Sequence, residues 1–127
     1  MSQQSSQSAY MPEGWHEVTP RIVVTEAQKL VEFIKHVFDG KGDYRTDRPS
    51  VISIGASQIM ISEAGARDPN PSFLYVYVED ADETYRRALK SGAKSLEEPS
   101  HVPYGDRRAT VVDQWGNTWQ IATYKGT

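Results

Sequence analysis

Arg21, Phe73, Tyr75, Tyr77 and Tyr104 are the side chains of this sequence best suited to grip a ligand. An arginine presents a planar fork of donors that fits a carboxylate or phosphate through two hydrogen bonds. In the run FLYVYV, residues 73, 75 and 77 alternate onto one side of a strand, where three aromatic rings can stack on a flat molecule. Each feature has a plainer alternative. Arg21 can pair with a carboxylate at the rim of a site or across a dimer contact, and strand aromatics often fill a sheet interface as core. Tyr104 opens the turn Tyr104-Gly105-Asp106-Arg107. That turn reads as a lid over a site or, more simply, as an Asx-type turn in which Asp106 caps backbone amides and Arg107 is paired nearby.

Other chemistry is thinly represented. The three histidines are scattered: His16 precedes a strand, His36 lies on a helix face and His101 is in a loop. His101 titrates near neutrality but stands alone. Asp113 begins a turn and is read as its stabiliser, Trp119 as core, and Trp115 as an exposed hairpin-tip contact. Glu79, Asp80, Asp82 and Glu83 cluster at a helix start, where they complement the dipole. With no cysteine, thiolate metal sites, disulfides and a cysteine nucleophile are excluded. A net charge of −3 supplies no basic excess for nucleic acid. No apolar run approaches the about 20 residues of a membrane span, and the N-terminus lacks the features of a signal peptide, so a cytoplasmic location is expected.

These residues need elements to position them. The 127 residues suit one domain. Residues 1–13 are polar at the start and read as a flexible tail, with one domain over 14–127. Glu17–Val24 reads as a strand. Thr25 is its N-cap successor to a helix whose apolar stripe is Ala27, Leu30, Val31, Ile34, Val37 and Phe38, stopping at Asp39-Gly40. A short strand is expected near Tyr44, then a hairpin of residues 51–54 and 58–62 around Gly55-Ala56-Ser57. After a Pro/Gly/Asn linker, FLYVYV is the strongest strand, followed by a helix from Ala81 to Lys90 and a short strand at 93–96. Residues 97–103 read as a loop, and a final hairpin joins 108–112 to 118–123.

The order of elements occurs twice, in modules of about 17–64 and 72–124. A shift of 54 residues sets Val24 on Val78, Thr19 on Phe73, Arg21 on Tyr75 and Val23 on Tyr77. The phrases TPRIVVTEAQKLVEFIKHVF, VISIGASQIMIS, LYVYVEDADETYRRALKSGA and YGDRRATVVDQWGNTWQIAT, in that order, resemble the vicinal oxygen chelate superfamily of glyoxalases, bleomycin-resistance proteins and extradiol dioxygenases. They look most like its small glyoxalase-like branch. The resemblance implies an α+β fold of two βαβββ modules whose mixed sheets curl into a cup. It also implies a homodimer, in some members with modules exchanged between subunits.

In metal-using members, the cup holds ligands, mostly His and Glu, from the first and last strands of each module. The matching positions here are Thr19, about Ile61 (Met60 if the register slips by one), Phe73 and Gln120, none of them His, Asp or Glu. Gln120 stands where a metal-binding relative has Glu. No metal and no cofactor is therefore expected, and the standard metal-dependent lyase or dioxygenase chemistry lacks its ligands. The expected function is sequestration of a small organic molecule, anionic if Arg21 clamps it, by Arg21, Tyr75, Tyr77, Phe73, Thr19, Gln120 and Tyr104. The alternative is a superfamily lyase, isomerase or dioxygenase with a non-standard site.

Overall fold

A computed structural model describes residues 10–126. The apolar spacing of the first half produces strand β1 (Arg21–Val24), helix α1 (Ala27–Phe38) and the hairpin β2 (Ser50–Ile54) and β3 (Ser57–Glu63). The second half gives β4 (Phe73–Tyr77), α2 (Ala81–Lys90), β5 (Lys94–His101), β6 (Asp106–Val112) and β7 (Thr118–Tyr124). Each half closes by pairing its first strand parallel to its last: β1 with β3, and β4 with β7. The sheets are ordered β1-β3-β2 and β4-β7-β6-β5, each with one helix-covered face and one open face. These are βαβββ modules. In the first, the strand expected near Tyr44 is reduced to a single bridge from Lys41 to Ser53.

The two modules share one core. All six predicted stripe residues of α1 are buried, and each fully buried aliphatic contributes about 1.5–3 kcal/mol. Trp119 of β7 is fully buried, with its ring centroid 4.9 Å from that of Phe38 and 6.5 Å from that of Phe33 on α1. Arg87 of α2 donates to the Val37 carbonyl at the end of α1 (2.7 and 3.2 Å), satisfying an acceptor that the helix cannot pair internally.

Helix starts depart from expectation. Thr25 does not cap α1; Glu26 takes the cap position in a left-handed conformation (φ 65°) with no capping side chain of its own. The Glu63 carboxylate at the end of β3 instead accepts from the Glu26 and Ala27 amides, both at 2.8 Å. In the second module Thr123, near the end of β7, does the same through Oγ1, which accepts from the Ala81 amide at 2.9 Å. Asp80 adds a conventional cap, accepting from the Glu83 amide. Each module's last strand therefore ties down the start of its own helix.

Other boundaries shift as well. β1 begins at Arg21, because the preceding Pro20 cannot donate to a ladder. β3 is offset by one from the expected register: Ile59 and Ile61 face α1 and are buried, and Met60 takes the open face opposite Arg21. β5 continues through residues expected to be loop, with register shifts on either side of Glu97. Trp115 is not a free hairpin tip, since it packs edge-on against Phe33 with centroids 6.1 Å apart. Of the predicted tail, residues 1–9 lie outside the described residues. Among the described residues no helix is long and apolar enough to cross a membrane.

Candidate functional site

The open face of the second sheet is set by strand alternation. On β4 it carries Phe73, Tyr75 and Tyr77; on β7, in register with them, Thr118, Gln120 and Ala122. On β6 it carries Asp106, Arg108 and Thr110, and Glu97 of β5 lies opposite Thr110. Residues Trp119, Ile121, Ala109 and Val111, one position along, fill the buried side.

Polar side chains on this face join into one hydrogen-bonded chain. Tyr75 and Tyr77 both donate their hydroxyl protons to Oδ2 of Asp106, at 2.5 and 2.9 Å. Asp106 is only 1% exposed. Between β4 and β6 the same face of β7 carries Ala122, paired with Tyr77 on one side and Arg108 on the other and bearing only a methyl group. Two strand spacings, about 9.5 Å, lie within the reach of a tyrosine on each side of so small a residue. The Tyr104 hydroxyl lies 3.5 Å from that of Tyr75 and accepts from Arg108 at 2.8 Å. Arg108 also donates to both Glu97 carboxylate oxygens (3.3 and 3.4 Å). Thr110 donates to Glu97 at 2.7 Å, and the Gln120 amide nitrogen lies 3.4 Å from the Thr110 hydroxyl.

Protonation follows from these contacts. Burial first, then the bonds with Asp106 and Tyr104, push the Tyr75 phenol well above its ordinary range. The bond to Asp106, then burial, raises Tyr77. Both are held as neutral donors. The bonds from Thr110 and Arg108 hold the Glu97 carboxyl below its usual value, so it is an anion.

Of the residues singled out in the sequence, the structure thus brings Tyr75, Tyr77, Tyr104 and Gln120 into one network, with Phe73 beside them and 68% exposed. Arg21 and Thr19 are not part of it. Arg21 projects from the open face of the other sheet, where Nε donates to the Ser62 hydroxyl at 3.0 Å. It lines a hollow of about 260 Å³ with Tyr44, Arg45 and Arg48. Thr19 lies ahead of β1, with no side-chain hydrogen bond among the described residues. Among the described residues Asp106 caps no backbone amide, contrary to the turn reading; it is the acceptor at the centre of the network. Arg107 does pair nearby, bidentate with Asp82 (2.7 and 2.9 Å).

The sequence reading gave Asp106 only a turn role and passed over Arg108, Thr110 and Glu97. A period-2 reading carried back to Asp106 would have placed the first three on one face, against Arg107, Ala109 and Val111. Glu97 was hidden by the irregular, Pro99-containing strand around it. Asp113 acts as expected, accepting from the Trp115 and Asn117 amides and the Trp119 indole (2.9, 2.9 and 2.8 Å).

The Glyoxalase/Bleomycin resistance protein/Dioxygenase superfamily model matches residues 15–121. The chain belongs to this superfamily. TioX from Micromonospora sp. ML1 has a similar fold, with a TM-score of 0.70 at 19% identity, covering 88% of this chain and 98% of that one. So does the fosfomycin resistance protein FosX from Listeria monocytogenes, complexed with Mn(II) and sulfate, with a TM-score of 0.68 at 16% identity over 88% of this chain and 90% of that one. An uncharacterized protein of Mycobacterium bovis is 24% identical over 122 residues, 82% of this chain and 80% of its own. At these identities the solved structures speak for the fold alone.

The positions of this superfamily member that match the family's metal ligands do not fit a divalent metal. By the observed register, the first-module counterpart of Gln120 is Met60 and not Ile61, since Arg21 pairs with Met60 as Tyr75 pairs with Gln120. Thr19, Met60, Phe73 and Gln120 offer neither imidazole nor carboxylate. Among the described residues, no group of three or more His, Cys, Asp or Glu side chains is placed to hold a metal ion.

Proposed function

We propose that this protein is a metal-free, glyoxalase-like binder that sequesters a small organic molecule on the tyrosine-bearing open face of its second sheet, without turnover. The observation that carries this reading is the joined network of Tyr75, Tyr77, Asp106, Tyr104 and Arg108, which fixes rotamers of otherwise exposed rings. Rings held in place lose little entropy when a flat ligand stacks on them. Phe73, Tyr77 and Tyr104 are 68%, 60% and 56% exposed, three large aromatic side chains left mostly to water. A second copy covering this face is part of the proposal, and the working form is then a homodimer.

Two measurements test it. Metal analysis of protein purified without chelator is expected to give far less than stoichiometric Zn, Ni, Mn or Fe; a stoichiometric metal would sink the metal-free reading. Sedimentation is expected to give a dimer mass, and a clean monomer at micromolar concentration removes the second copy.

A further inference from the structure

We propose that the tyrosine-bearing face selects a planar organic cation, and not an anion. This deepens the binding reading above and rests on it. Charge is the first argument. The network holds two carboxylates, Asp106 and Glu97, against one guanidinium, Arg108, and that guanidinium is engaged by Glu97 and Tyr104. Lys94, the other lysine or arginine that the described strands place on this side of the sheet, sits opposite Val112, four residues along β6 from Arg108. Arg21, Arg45 and Arg48 line a separate hollow on the first module.

Donor direction is the second argument. The Tyr75 proton goes to Asp106, so the Tyr104 proton is the one that lies between the two phenols, and Tyr104 in turn accepts from Arg108. Tyr77 and Thr110 likewise spend their protons on Asp106 and Glu97. Every hydroxyl proton in the network is therefore committed to a carboxylate or to a chain that ends on one. What the network offers a ligand is acceptor character: phenolic lone pairs and the negative faces of the exposed Tyr77, Phe73 and Tyr104 rings, backed by the buried Asp106, whose Oδ1 has no hydrogen-bond partner among the described residues. A cation is attracted to aromatic faces and gains again from a nearby unneutralised carboxylate. An anion would meet the same groups as repulsion, and no hydroxyl of the network has a proton left for it.

The test uses three soluble planar probes at neutral pH: N-methylquinolinium, quinoline and quinolinecarboxylate. Each is titrated into the full-length protein while ring resonances of Phe73, Tyr75 and Tyr77 are followed by NMR. The cation is expected to bind about tenfold tighter than quinoline, and the carboxylate more weakly than either. In Asp106→Asn the ratio of the two Kd values is expected to fall to about one, the cation losing its advantage over quinoline within the same variant. Should that variant fail to fold, added salt on the unmodified protein carries the test, weakening the cation and not quinoline. Equal affinities, or a preference for the carboxylate, overturn the cation assignment and leave the binding reading standing. If none of the three probes shifts the rings, both fall.

Discussion

On the open face of the first module, neighbouring strands present Arg21 beside Met60 and Val23 beside Ser62; on the second, the equivalent positions are Tyr75 beside Gln120 and Tyr77 beside Ala122. The scaffold is the same down to the last-strand side chain that pins each helix, Glu63 in one and Thr123 in the other. The outcome differs through what stands in the middle strand. Where that residue is Ser62, it hydrogen-bonds Arg21 and the contact ends there. Where it is Ala122, it makes no side-chain bond, and the aromatic side chains of the neighbouring strand bond a carboxylate one strand further on. A polar network spanning four strands thus has one small, non-bonding residue at its centre.

The largest test of this contrast removes the shared acceptor. Asp106→Ala leaves two phenols without their charged partner and is expected to lower unfolding stability by about 3 kcal/mol in urea titrations. Next, Ala122→Ile should lift both tyrosines off Asp106. Overpacking predicts a loss of about 2 kcal/mol, with changed Tyr75 and Tyr77 ring shifts as its signature. Unchanged shifts would mean that the phenols do not need the gap.

A smaller effect is expected with pH. The Tyr75 phenol is raised in the folded protein, so its contribution is fully present below the unfolded tyrosine value of about 10 and is lost as pH rises beyond it. Alkaline denaturation curves should therefore flatten in Tyr75→Phe. Glu97 is lowered when folded, so its contribution holds above the usual glutamate value of about 4.3 and fades as pH falls. Least affected should be Arg21→Ala, whose exposed contact with Ser62 is expected to matter by no more than about 0.5 kcal/mol. A loss several times larger would make the first module's face as interlocked as the second's.

Most of the fold was legible in the sequence because it rests on periodicity. The α1 stripe, the FLYVYV strand and the two hairpins each bury an apolar side at the spacing their residues dictate. The repeat was legible for the same reason. What failed was local. β3 slipped by one residue because SQIMIS has Ile, Met and Ile in a row, and hydrophobicity alone does not choose which of them faces the helix. β5 was missed because its bulges break alternation. The site was half legible: the tyrosines announced themselves, but their acceptor sat in a turn-like phrase where Asp has an obvious local use. Long-range partners such as Asp106 with Tyr77 belong to sheet order, which no local pattern encodes.

The irregular β5 has a consequence beyond the site. It forms one margin of the four-stranded sheet, and its two register shifts, together with Pro99, spoil the even row of amides and carbonyls that another strand would need. The opposite margin, β4, is a flat five-residue run with neither proline nor bulge. Of the two margins, the strand that carries the aromatic rings is therefore the one whose row of amides and carbonyls is regular enough to receive another strand.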